Sequence, residues 1–318
     1  MTPLRIGTRG SALALWQARN IQEALRGKAR AECEIVVIKT SGDAFQQGNV
    51  SAIGAKGVFI KELEDALLDR RVDLAVHSMK DVPTEMPAGL RIAAITERAD
   101  PRDALVSRDG HRLKELPRGA RVGTSSLRRR SQLLHFRSDL RAADLRGNVD
   151  TRLEKLRRGD YDAVVLAKAG LDRLGFSERI TEILPAEIMV SAAGQGALGI
   201  EIRGDDTETQ QAVAALDDAA TRGAVEAERA ALDALGGGCQ VSVGAWARVE
   251  GGRLVLDVAV LSPDGAECIR DRAAGALENP EKLGLGLART LLGRGAARLL
   301  ARNAAAGPVA ESDRTMKA

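Results

Sequence analysis

The chain has 318 residues, 44% apolar, 29% charged and only 2% aromatic, which suits a globular protein of two or three domains and leaves little aromatic surface for stacking nucleic-acid bases. No apolar run reaches membrane-spanning length, the opening Met1-Thr2-Pro3-Leu4-Arg5 lacks the order of a secretory signal, and Cys33, Cys239 and Cys268 stand far apart with neither CxxC nor His spacing. The expectation is a cytoplasmic protein without a disulfide framework or a metal centre. The net charge of +3 conceals a polarised chain: Arg102 to Arg158 carries 16 Lys/Arg against 7 Asp/Glu, and Asp205 to Asp233 carries 8 acids against 2 bases. An anionic partner is expected at the basic middle third.

Leu4-Arg5-Ile6 reads as a short strand running into Gly7-Thr8-Arg9-Gly10-Ser11. Ser11 suits the N-cap of a helix whose apolar face is Leu15, Ala18, Ile21 and Leu25 and which ends at Gly27. Strand, tight turn and helix start together aim free N–H groups at an anion, with Arg9 alongside. A second strand spans Glu34 to Ile38, and Thr40 to Gly57, with four glycines, reads as a long mobile loop. A helix over Lys61 to Arg71 leads to a strand, Asp73 to Val76, and a polar turn, His77-Ser78-Met79-Lys80-Asp81-Val82-Pro83.

Periodicity breaks at Ala99-Asp100-Pro101-Arg102-Asp103, and the plan then repeats. Arg121-Val122 enters Gly123-Thr124-Ser125-Ser126 and a helix from Leu127, and the run from Leu153 to Val165 parallels that from Leu63 to Val76. Two α/β lobes of like build are expected, each offering a helix N-terminus to a shared cleft. Ser191 to Ala197 is a small-residue crossing, a hinge or a second inter-lobe strand, after which Ile200-Glu201-Ile202 returns to the first sheet. Acidic helices from Thr207 to Leu235 lead to Gly236-Gly237-Gly238-Cys239-Gln240. Two antiparallel strands, Val241 to Arg248 and Arg253 to Leu261, and one amphipathic helix, Leu283 to Ala301, complete a small α+β domain before a polar tail.

Several constellations carry chemistry. Arg128 and Arg129 start a helix, Arg146 sits in Leu145-Arg146-Gly147-Asn148, Arg152 follows, Arg173 lies between glycines, and Arg9 would face them from the other lobe. Guanidinium groups so placed bind carboxylate or phosphate, and several around one cleft suit a ligand with several anionic groups. The competing reading is a solvated basic face, which fits Arg130, Arg157 and Arg158 better. Asp81 is either a general acid/base or a turn cap before Pro83, and Lys80 beside it suits an anion. Cys239 among glycines is either a presented nucleophile or a small buried hydrophobe. No Walker A or complete GxGxxG sequence occurs.

The strings Val76-His77-Ser78-Met79-Lys80-Asp81-Val82-Pro83, Gly123-Thr124-Ser125-Ser126-Leu127-Arg128-Arg129, Leu145-Arg146-Gly147-Asn148, Gly194-Gln195-Gly196 and Gly238-Cys239-Gln240, with Gly7-Thr8-Arg9, Ser11, Leu15-Trp16-Gln17, Lys56-Gly57 and Phe59 to Glu64, closely resemble the porphobilinogen deaminase (hydroxymethylbilane synthase) family. The resemblance runs in order from about residue 4 to residue 305. It implies a transferase of tetrapyrrole (haem) synthesis that joins four porphobilinogen molecules head to tail into hydroxymethylbilane, releasing ammonia each time. It also implies a dipyrromethane cofactor held by a thioether to Cys239, with Asp81 as the catalytic carboxylate. Lys80, Ser78, Thr124, Ser126, Arg128, Arg129, Arg146 and Gly147 would hold the cofactor, and Arg9, Ser11, Arg152, Arg173, Gln195, Lys56 and Phe59 the substrate. Gly10, Ala12, Ala55 and Ser242 depart from the family pattern without touching a charged role.

The chemistry agrees. Each pyrrole unit brings two carboxylates, which a basic middle third would neutralise, and loss of ammonia leaves an electron-poor carbon beside a pyrrole nitrogen whose positive charge Asp81 suits. The expected architecture is two similar periplasmic-binding-protein-like α/β lobes, residues 1–98 with 197–216 and residues 102–192, plus an α+β domain at 219–306 carrying Cys239 and a flexible tail at 307–318. A monomer acting on a small molecule, with no nucleic-acid, membrane or metal partner, is expected. A two-lobed binding protein for a small anion would share the lobes but need neither Cys239 nor Asp81, and a nucleic-acid binder would show steep salt dependence.

Overall fold

The computed structural model describes residues 3–39, 60–236 and 241–305, so Lys56, Phe59 and Cys239, the loop expected at 40–57 and the tail at 307–318 lie outside the described residues. The first lobe opens with β1 (Leu4–Thr8), α1 (Ala12–Ala29), β2 (Cys33–Val37), α2 (Lys61–Leu68), β3 (Leu74–Ser78) and β4 (Leu90–Ile95). The second contains β5 (Asp103–Ser107), β6 (Arg121–Gly123), α3 (Leu127–Phe136), β7 (Arg141–Ala143), α4 (Val149–Arg157), β8 (Ala163–Ala167), α5 (Lys168–Arg173) and β9 (Glu182–Ile183). The chain returns through β10 (Leu198–Arg203) and α6 (Thr207–Ala214), then builds a third domain from α7 (Ala219–Ala234), β11 (Val243–Glu250), β12 (Arg253–Leu261), β13 (Cys268–Gly275), α8 (Pro280–Gly293) and α9 (Ala296–Ala305).

The two lobe sheets have matching plans, β2-β1-β3-β10-β4 and β7-β6-β8-β5-β9. In each, three parallel strands meet one antiparallel strand that arrives from the other lobe: β10 pairs antiparallel with β3, and β5 with β8. Each sheet therefore needs a strand delivered by the neighbouring lobe, which ties the two together across the cleft. α1 covers one face of the first sheet through Ala18, Ile21 and Leu25, packed with Ile6, Leu74, Ile200 and Ile202, and α2 covers the other through Leu63, Ala66 and Leu67. The strands are apolar on both faces because helices cover both. Two further clusters flank the second sheet, and the third domain packs α7, α8 and α9 on the inner face of β11-β12-β13. The chain is thus an α/β protein of two lobes with a smaller α+β third domain. Among the described residues no helix is long and apolar enough to cross a membrane.

Several local expectations change. α1 runs two residues past Gly27 and stops where Arg30 turns left-handed, at φ 52°. β3 extends through Ser78, so His77 and Ser78 belong to the strand, and only Met79–Asp81 forms a tight 3-10 turn. Ser191 to Ala197 crosses between the lobes as turns, with no strand. The expected helix over Leu283 to Ala301 is two helices, because Gly295 at φ 95° breaks the hydrogen-bond ladder between α8 and α9.

Candidate active site

The C-terminal ends of β1, β3 and β8 open into a cavity of about 240 Å³ between the lobes. Ser11 caps α1 by accepting from the Ala14 N–H at 3.3 Å, which sets Arg9 and the helix start on the first-lobe wall. Ser78, Lys80 and Asp81 follow on the same wall, and Gln17, buried on α1, donates to the Ser78 hydroxyl at 2.9 Å. Asp81 is exposed, on a turn whose first N–H, from Met79, donates to the Ala197 carbonyl at 3.0 Å. Opposite stand Arg129, Gly147, Arg152 and Arg173, with Gln195 at the base. Arg152 donates to the Gly147 carbonyl at 2.7 Å, and Arg173 donates to the Gly196 carbonyl at 2.7 Å while lying over the Trp16 ring of α1.

The cleft therefore gathers Arg9, Lys80, Arg129, Arg152 and Arg173 around two exposed carboxylates, Asp81 and Asp150. The electrostatics register that imbalance. Burial, reinforced by Arg129 and Arg128 and only partly offset by Asp81 and Asp103, lowers the Lys80 ammonium to about 8. Burial and then Arg129 lower Arg152 to about 10, and burial lowers Arg173 to about 10. Cations whose charge burial disfavours this much are stabilised by a bound polyanion.

Among the described residues, four of those expected do not line the cavity. Thr124 is buried and accepts from the Ser126 N–H at 3.2 Å, while Ser126 caps α3 by accepting from the Arg129 N–H. Both therefore shape the helix start that presents Arg129. Arg128 turns inward, donating to Asp103 at 2.7 Å and to the Val190 carbonyl at 2.7 Å, and Arg146 is exposed beside the Gly147 turn. Arg157 and Arg158 pair with Glu154 on the solvent side of α4, as a solvated face requires.

Matches to known families agree with this geometry. The family described as "Porphobilinogen deaminase, dipyromethane cofactor binding domain" matches residues 4–211, and "Porphobilinogen deaminase, C-terminal domain" matches residues 223–293. The chain belongs to the porphobilinogen deaminase family. It is similar to the porphobilinogen deaminase of Desulforudis audaxviator, with 52% identity over 93% of this chain and 96% of that one. It is also similar to that of Moorella thermoacetica, with 51% identity over 94% and 96%, and to that of Brevibacillus brevis, with 49% over 93% and 96%. A periplasmic substrate-binding protein of an ABC transporter from Coxiella burnetii overlays 67% of the chain and 91% of its own length at 15% identity, with a TM-score of 0.42. An ancestral arginine-binding protein overlays 68% and 91% at 15% identity, with a TM-score of 0.38.

Asp103 is the polar hub of this deaminase-family cleft, and it went unread in the sequence as part of a domain boundary. It is fully buried, accepts from both Arg128 and Arg129, and receives the Gln195 side-chain amide at 2.9 Å. Burial alone would raise the Asp103 carboxyl; Arg128 and Arg129 override it and hold the group well below the usual carboxylate range. The one available signal was an aspartate opening the apolar run Ala104-Leu105-Val106, since a buried strand tolerates an acid only if it is paired. A second hub is Glu228 on α7, which accepts from Arg98 at 2.6 Å, from the Gly194 N–H at 2.6 Å and from the Ala247 N–H at 2.7 Å.

Proposed function

We propose that this chain joins four porphobilinogen molecules head to tail into hydroxymethylbilane, with release of ammonia at each condensation, on a dipyrromethane held through a thioether to Cys239. The observation that carries this reading is the cleft of five cations around Asp81, with Lys80 lowered to about 8. A group with two carboxylates on each pyrrole fits that donor set. When bound, the dipyrromethane supplies the free pyrrole α-carbon to which the first substrate joins.

The residues divide the work by position. Lys80 and Arg129, facing each other across the cleft, would hold cofactor carboxylates, with Ser78 and the Gly147 turn beside them; Thr124 and Ser126 support the helix start, and Arg128 and Arg146 flank it. Arg9, Arg152 and Arg173 would receive the acetate and propionate of each incoming porphobilinogen, with Ser11 and Gln195 completing the site and Lys56 and Phe59 belonging to its cover. Holding both carboxylates fixes the aminomethyl carbon, so orientation is supplied by binding rather than at the moment of reaction. The substrate's C–N bond then breaks, ammonia leaves, and positive charge spreads onto the pyrrole nitrogen. Asp81 stabilises that charge and takes up the proton released when the new carbon–carbon bond forms. The reading includes a monomer working in the cytoplasm on a small molecule, without nucleic-acid, membrane or metal partners.

Intact mass of freshly purified protein tests it. The expected mass exceeds that of the chain by two linked pyrrole units, Cys239→Ala lacks the excess, and Cys33→Ala and Cys268→Ala keep it. An active protein of unmodified mass would remove the covalent cofactor from the reading.

A further inference from the structure

Asp81 is exposed to the cleft, so the direction of its carboxylate is set by the backbone of the Met79–Asp81 turn. That turn is anchored at its start by the Met79 N–H on Ala197 and by the buried Met79 side chain. Its end is less secure: the Val82 N–H donates back to the Met79 carbonyl at 3.3 Å, and Pro83, next in the chain, has no N–H to give. Arg229, on α7 of the third domain, meets this end. Its Nη1 donates to the Val82 carbonyl at 2.9 Å, and its Nη2 donates to the Pro83 carbonyl and, at 3.4 Å, to the Thr84 carbonyl.

Three consecutive carbonyls on one planar guanidinium fix both the position and the orientation of the segment that follows Asp81, which a single-point ammonium does not do. Arg229 forms no ion pair with a carboxylate among the described residues, and burial disfavours its charge, with Asp233 the opposing influence. A half-buried guanidinium committed to main-chain carbonyls holds shape rather than balancing charge. We propose that Arg229, by clamping the Val82–Thr84 carbonyls from the third domain, is a positioning residue for the Asp81 turn. The inference rests on the reading of Asp81 as the working carboxylate.

A double-mutant cycle on the full, loaded protein separates positioning from general support. Arg229→Gln should slow turnover at least tenfold with KM within about threefold of the parent, loading being checked by intact mass. In the Asp81→Asn background the same substitution should change turnover less than twofold, because the carboxylate it orients is gone. Arg229→Lys, which keeps the charge but not the fork, should lose about threefold or more and provides the cycle if the Gln variant does not fold. Equal losses in both backgrounds would reduce Arg229 to structural support, and folded variants with parental turnover would overturn the proposal outright. Near-normal turnover in Asp81→Asn itself would instead overturn the role of Asp81, and this inference with it.

Discussion

Asp103 sits fully buried between Arg128 and Arg129, so one carboxylate holds two guanidinium groups and, through Arg129, the rear wall of the cleft. Asp103→Asn keeps the shape but leaves two buried cations without their counter-charge, and should destabilise the fold by about 3–5 kcal/mol in urea unfolding at pH 7. The sign of the pH dependence follows from its depressed folded pKa. The stabilisation is fully present above the unfolded value, near ~4, and is lost as pH falls below it toward the folded pKa. The gap between parent and Asp103→Asn should therefore shrink on acidification below about pH 4, and a pH-independent gap would contradict the pairing. At this scale the sequence displayed the arginines but not their directions. Arg128 and Arg129 are adjacent on one helix start, and only the position of Asp103, 25 residues from Arg128, turns the first inward. The second also reaches Asp103 yet lines the cavity.

The element that matters most is the turn between β3 and β4, and its geometry depends on a glycine far away in sequence. Gly194 has φ +72°, and a Cβ there would stand 2.7 Å from the Met79 Cβ and 2.9 Å from the Met79 carbonyl carbon. Gly194→Ala should thus cost about 1–3 kcal/mol through the left-handed backbone and the overlap. Because the overlap falls on the residue that starts the Asp81 turn, turnover should fall at least tenfold, since small misplacements of reacting groups are expensive. Parental turnover in a folded Gly194→Ala protein would show that the turn tolerates the shift. The Ser11 cap of α1 was legible, because Ser11 precedes an apolar periodic run, and the start of α3 at Leu127 was legible from the repeat of the strand, turn and helix plan, but not that Ser126 caps it. The break between α8 and α9 was hidden because both halves keep an apolar face, so the periodicity does not reveal that Gly295 adopts a left-handed backbone.

Across the whole molecule, the three domains meet at the Gly194–Gly196 crossing. Arg98 of the first lobe donates to the Gln195 carbonyl and to Glu228, and Glu228 also takes N–H groups from Gly194 and from β11. Glu228→Gln leaves an acceptor short at a buried joint and should lower stability by about 3–5 kcal/mol. Calorimetry should then show the third domain melting ahead of the lobes; unchanged melting would remove this joint as the coupling between them. The sequence by itself determined the paired α/β plan, the basic middle third, the helix starts and the family, because periodicity, capping and charge are properties of neighbouring residues. Only the tertiary structure decided which cations face the cleft, that Asp103 is the buried counter-charge behind them and Glu228 that of Arg98 at the joint between domains, and that Arg229 reaches the Asp81 turn. Those contacts join residues 25 to 147 positions apart, and a guanidinium takes its direction from whichever acceptor the folded chain brings within reach.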